Sequence, residues 1–171
     1  MKSTLLFVFV AFALAPISAA RAQQLKFTAS HTQSCLRTKS DPNQMAACVG
    51  VSANKCMEDT EGGMSTVGMG GCINAELKFW DEWLNGVYKA LLAQEKADDA
   101  EIGAGDGSVP AKAAALRDMQ RAWLPWRDAT CDYERSLWGG GTGGGPATLG
   151  CLMRLTASQV FYLESRFSAE N

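Results

Sequence analysis

The sequence predicts an all-α protein: a small bundle of about four to five helices, stapled by three disulfides and joined by glycine-rich loops. Three observations carry this reading. Apolar residues recur at steps of three and four over long stretches, the period of an amphipathic helix. No segment alternates apolar and polar residues for more than a few positions, as a half-buried strand would. Six cysteines, an even number, follow what reads as an export signal, which points to disulfides made in an oxidising compartment.

The elements follow in chain order. Lys2 gives a positive start, Leu5 to Ala15 an apolar core, and Ala20-Arg21-Ala22 a small-x-small cleavage site, so residues 1–22 read as a signal peptide. The apolar run is shorter than the about 20 residues that cross a bilayer, and no cysteine lies near the cut to take a lipid. The expected product is one domain over residues 23–171, periplasmic or secreted, with no stable membrane insertion after cleavage. A short helix is expected from Ala29 to about Thr38, and a second from Asn43, as its N-cap, to near Cys56. A third spans about Cys72 to Asp98, where Ile73, Leu77, Trp80, Leu84, Val87 and Leu91 form one apolar seam. Gly103 to Val109 reads as a loop, with Ser108 as cap and Pro110 in the first turn of a fourth helix. That helix runs to about Trp138 on a seam of Leu116, Met119, Trp123, Trp126, Tyr133 and Leu137, with a kink expected at Pro125. The last helix, about Thr148 to Phe167, offers Leu152, Leu155, Val160, Leu163 and Phe167.

The cysteines permit many connectivities, and sequence alone does not choose among them. The layout favours sequential pairing. Cys35 and Cys48 flank a Ser-Asp-Pro-Asn turn, Cys56 and Cys72 flank EGGMSTVGMGG, and Cys131 and Cys151 flank GGGTGGGP. Each staple would contribute about 3 kcal/mol by constraining the unfolded chain. With no C-x-x-C and a single histidine, His31, neither a redox site nor a Cys/His zinc site is indicated.

Charge narrows the partners. Loss of Lys2 and Arg21 with the leader leaves 14 basic against 18 acidic side chains, a formal net charge of −4. Nothing here supports nucleic-acid binding, which needs clustered positive charge. A basic partner would be steered towards such a surface. Catalysis is not signalled either. Glu76, Asp81, Glu82, Asp128, Asp132 and Glu134 could supply a carboxylate pair on paper, but no spacing selects one. There is no G-x-S-x-G, and the glycine run at Gly139 to Pro146 lacks the lysine of a phosphate-binding loop. No cofactor is expected.

Two readings remain for the unusual residues. On a helix Gln120, Trp123, Arg127 and Cys131 share one row, which would face the last helix if Cys131 is tied to Cys151. Arg127 then needs a carboxylate, for which Asp81 and Glu82 are the best-placed candidates, and Asn85 and Tyr88 would want interhelical hydrogen bonds if buried. The stretch reads as bracing. Recognition falls to the loops, foremost the glycine run Gly139, Gly140, Gly141, Thr142, Gly143, Gly144 and Gly145, then Glu61 to Gly71. An exposed aromatic patch from Trp80, Trp83 or Trp138 would mark a protein-binding surface.

Taken together, Asp81-x-x-Leu84-Asn85-x-x-Tyr88, then Gln120-x-x-Trp123-x-x-x-Arg127-x-x-x-Cys131, a paired-glycine segment and Cys151 resemble the LprI-like lysozyme-inhibitor domain. This is a cysteine-rich helical domain of exported bacterial proteins, and the resemblance runs from about Cys35 to Phe167. The N-terminal cysteine pair is additional to the four of the common domain, Thr142 stands where a serine often follows the glycines, and Pro125 interrupts the Trp-to-Arg spacing. The resemblance implies a non-enzymatic exported protein whose partner is a basic lysozyme, engaged by a loop inserted into the cleft. The alternative is an envelope module that binds another protein or a cell-wall fragment without inhibiting lysozyme.

Overall fold

The computed structural model describes residues 24–101 and 111–169. The expected leader, the Ser108 cap, Pro110 and the Phe167 side chain lie outside the described residues. Among those residues all regular structure is helical. Helices α1 (Ser30–Leu36), α2 (Pro42–Met45) and α3 (Val51–Asp59) form an N-terminal layer, with a 3-10 turn at Ala46–Cys48. Three long helices follow: α4 (Thr66–Glu101), α5 (Lys112–Ser136) and α6 (Gly144–Ala169).

The frame is α4, 36 residues and so about 54 Å at the α-helical rise. Both α5 and α6 lie against it and against each other, while α3 covers its first turns. Trp80 is fully buried and centres the core with Leu84, Leu91, Val160 and Leu163. Its indole stacks on Trp83 at 5.3 Å and meets Phe161 edge-on at 5.5 Å. Such pairs add to the burial of the rings themselves.

Three disulfides join Cys35–Cys48, Cys56–Cys72 and Cys131–Cys151. The first ties α1 to the 3-10 turn, the second α3 to α4, and the third closes the α5–α6 hairpin.

Several expected boundaries are corrected. The second helix is not continuous, because Gly50 breaks it in a left-handed conformation (φ 93°) that glycine adopts without steric cost. Asn43 is not its cap; Asp41 Oδ1 accepts the Asn43 N–H at 2.7 Å instead. The stretch Glu61 to Gly71 is not one loop, since α4 starts at Thr66 with the Ser65 hydroxyl accepting the Gly68 N–H at 3.1 Å. Gly68 is there for close approach: a Cβ would lie 2.3 Å from the Gly62 carbonyl oxygen. The last helix starts four residues before Thr148.

On α5 the seam is also corrected. Trp126, Tyr133 and Leu137 are exposed, and the inward face carries Ala113, Leu116 and Cys131. The helix continues through Pro125, whose exposed side leaves the unpaired carbonyl four residues back open to water. Its first turn is capped from α4, where the Asp99 carboxylate accepts the N–H groups of Lys112 (2.8 Å) and Ala113 (3.0 Å).

Candidate functional site

The α5–α6 hairpin end is built from short-range chemistry. After Ser136 the chain turns through Gly139 (φ 56°) and Gly140 (φ 104°), a conformation that costs other residues roughly 1 kcal/mol or more. The Trp138 ring then folds back across Gly143, where a Cβ would sit 2.2 Å from it. Glycine at 143 is therefore what lets the indole lie on the loop. The predicted loop is shorter than seven residues, because Gly144 and Gly145 already belong to α6. Gly139, Gly140, Gly141 and Thr142 are exposed, Gly143 is half-buried and Gly144 is buried. Between this turn, α3, α4 and α6 lies an open groove of about 390 Å³, lined by Trp138, Pro146, Met57, Met69, Met153 and Arg154 among others. Methionine side chains adapt readily to an apolar partner.

The bracing row is placed as follows. Gln120 Oε1 accepts the Gln159 side-chain amide at 2.9 Å, bridging α5 to α6. Trp123, half-buried, packs on the core and carries the Arg127 guanidinium 5.1 Å from its ring centroid. The expected Arg127 clamp to Asp81 or Glu82 does not form. Arg127 donates to Asp128 Oδ1 from Nε at 2.9 Å and to Thr156 Oγ1 at 3.4 Å. Asp128 sits in solvent, so pairing with it avoids the desolvation that a clamp inside the bundle would cost. Asp81 faces Arg127 across a cleft of about 220 Å³ lined also by Asn74, Leu77, Lys78 and Leu152. Its carboxylate accepts from Asn85 at 3.3 Å within α4, and Asn85 is exposed rather than interhelical. Leu84 is buried, and Tyr88 packs half-buried on the core. Arg127→Ala is therefore expected to cost only about 1 kcal/mol, the worth of a cation–π contact and one hydrogen bond. A denaturant midpoint shift equivalent to several kcal/mol would contradict that.

Sequence reasoning missed the hub of the N-terminal layer. Glu76 is fully buried on α4. Its Oε1 accepts from Thr32 Oγ1 (2.9 Å), the Gly50 N–H (2.8 Å) and Trp80 Nε1 (3.1 Å), and its Oε2 from the Ala53 N–H (2.7 Å). Thr32 and Ser52 complete the network, each side chain accepting the other's backbone N–H, at 2.9 and 3.1 Å. The carboxylate thus sits on the N-terminus of α3, where unpaired N–H groups and the helix dipole favour negative charge. The signal was present: Cys72, Glu76, Trp80 and Leu84 step by four from a disulfide cysteine, and all four are buried.

The Glu164 carboxyl on α6 is perturbed. Glu164 accepts the Trp83 indole N–H at 2.9 Å, and burial holds its carboxyl above the ordinary 4.5, the hydrogen bond opposing this only in part. A raised folded value means the fold favours the protonated form. The stability it contributes is present in acid and is lost as pH rises through that raised value. Glu164→Gln is thus expected to raise Tm at pH 7 relative to the parent and to change it little near pH 4. Equal differences at the two pH values would contradict the assignment.

Among the described residues no group of three His, Cys, Asp or Glu side chains is arranged to hold a metal ion. Of the grooves around the hairpin and α4, the Asp81 cleft contains a single carboxylate and the methionine groove contains none. No helix is long and apolar enough to cross a membrane, among the described residues.

No solved structure matches the chain. An uncharacterized protein of Rhizobium meliloti (strain 1021) is 32% identical over 101 residues, covering 58% of this chain and 73% of that protein. Residues 56–163 match the family Lysozyme inhibitor LprI, from the Cys56–Cys72 staple through the α5–α6 hairpin to the core of α6. The Cys35–Cys48 staple lies before the matched stretch. With that stretch covering most of the described helices, the chain belongs to the LprI lysozyme-inhibitor family.

Proposed function

We propose that the chain, once its expected leader is removed, acts in the periplasm or outside the cell as a non-enzymatic inhibitor of lysozyme. The observation that carries this is the family match over residues 56–163. The net charge of −4 expected after cleavage supports it, because animal-type lysozymes are typically basic and complementary charge speeds encounter. The hairpin end is the contact we favour: Gly139 to Thr142 and the exposed Trp138 project beside a disulfide that fixes their base. A turn held at its base by a disulfide loses less freedom on docking than an untethered one. The test is a lysozyme turbidity assay with the oxidised protein from Gln23 onward, titrated against several lysozyme types. Saturating inhibition near one equivalent supports the reading, and full lytic activity at large molar excess contradicts it.

A second reading, an envelope module that binds a cell-wall fragment or another protein without inhibiting lysozyme, has one observation in its favour. Phe79 and Trp83 line an open groove of about 600 Å³ with Gln33, Leu36, Arg37 and Met45. Aromatic walls with a few polar groups suit a ligand site. Binding of soluble peptidoglycan fragments that is lost in Trp83→Ala, with no effect on lysozyme, would favour this reading.

A further inference from the structure

Among the described residues eight large apolar side chains are exposed, and five of them fall within residues 124–138: Leu124 (42%), Trp126 (55%), Tyr133 (64%), Leu137 (63%) and Trp138 (52%). Three of these form a row. Trp126, Tyr133 and Leu137 step by seven and four, so they share the side of α5 turned away from Cys131 and the bundle. Exposed Ala122 and Ala129 extend the row, while Trp138 turns to the groove beside Gly143. Monomeric proteins seldom leave such a row to water, and tryptophan and tyrosine dominate the energetic centres of interfaces.

Charge selects the occupant. Asp132 and Glu134 flank Tyr133 in sequence, and among the described residues no cation pairs with either. Asp118 and Asp128 lie on the same helix and stay largely exposed while bridging Arg121 (3.7 Å) and Arg127 (2.8 Å). Exposed Arg135 follows Asp132 and Glu134 on the helix, but with a net charge of −4 expected after cleavage a second copy of the chain is repelled overall, whereas a basic protein is attracted. The helix is held in place by the Cys131–Cys151 staple and the Gln120–Gln159 bridge, so the row is preorganised.

We infer that the outer face of α5, Trp126–Tyr133–Leu137, is the docking surface for a basic globular protein. This rests on the lysozyme reading above and extends the contact from the glycine turn along the helix. The experiment is isothermal titration of the oxidised protein from Gln23 onward with a basic animal-type lysozyme. It compares the parent, the double variant Trp126→Ser/Tyr133→Ser, and Asp132→Asn/Glu134→Gln, each checked for unchanged Tm and monomeric mass. The aromatic double variant is expected to bind at least ~100-fold more weakly. The neutralised variant is expected to lose much of the salt dependence of association. A parent that binds while the aromatic variant binds equally well overturns this surface and leaves the lysozyme reading standing. A parent that binds no lysozyme overturns both. A parent dimer that the aromatic variant dissociates shows that a second copy covers the row, and also overturns the proposal.

Discussion

Glu76→Ala is expected to destabilise the protein by about 4 kcal/mol, the cost of leaving buried donors without their shared acceptor. Four donors converge on that carboxylate: the Thr32 hydroxyl, the Gly50 and Ala53 N–H groups and the Trp80 indole. For a chain of this size the loss corresponds to a Tm lower by on the order of 10 °C. Glu76→Gln should fall between the two, because the amide keeps the shape but turns a donor towards other donors. The loss should be uneven. Amide exchange in α1 and α3 is expected to accelerate more than in the α5–α6 hairpin, since Glu76 anchors the first layer and not the second. Uniform acceleration, or an unchanged Tm, would show that Glu76 is not the hub.

Trp80→Ala is the other large effect, about 4 kcal/mol for emptying a fully buried indole site. Trp80 touches Trp83, Phe79 and Phe161 and donates to Glu76, so the substitution removes packing and a hydrogen bond together. Trp126→Ala, at an exposed position on α5, is expected to stay within about 0.5 kcal/mol of the parent. Urea midpoints for the two variants separate a core tryptophan from a surface one. Similar losses for both would contradict the placement of α5.

The contrast shows what the sequence makes legible. Long apolar seams locate α4, α5 and α6, because a bundle helix must repeat its buried positions every three or four residues. The cysteine layout favours the pairing seen, because each pair brackets one turn. The rotation of α5 is harder to read. Trp123 and Trp126 both satisfy a three-or-four step, yet at about 100° per residue Tyr133 points nearly opposite Cys131. The row through Cys131 and the seam through Tyr133 cannot both face inward, and the disulfide marks which of them does. The glycines misled in another way. Gly68 serves close backbone contact inside α4, not chain flexibility, and composition cannot tell those uses apart. The Glu76 network joins residues up to 44 positions apart, beyond the reach of local pattern. The Arg127 row shows the same limit, since spacing places the side chain but not the partner it selects.

The most direct measurement is an amide-exchange footprint of the oxidised protein with and without a basic animal-type lysozyme. Slowed exchange confined to residues 122–143, with α1 and α3 unchanged, is the predicted result. Protection confined to α1–α3 or to the Phe79–Trp83 groove, or none under saturating lysozyme, would contradict the claim that this protein meets its partner through the α5–α6 hairpin.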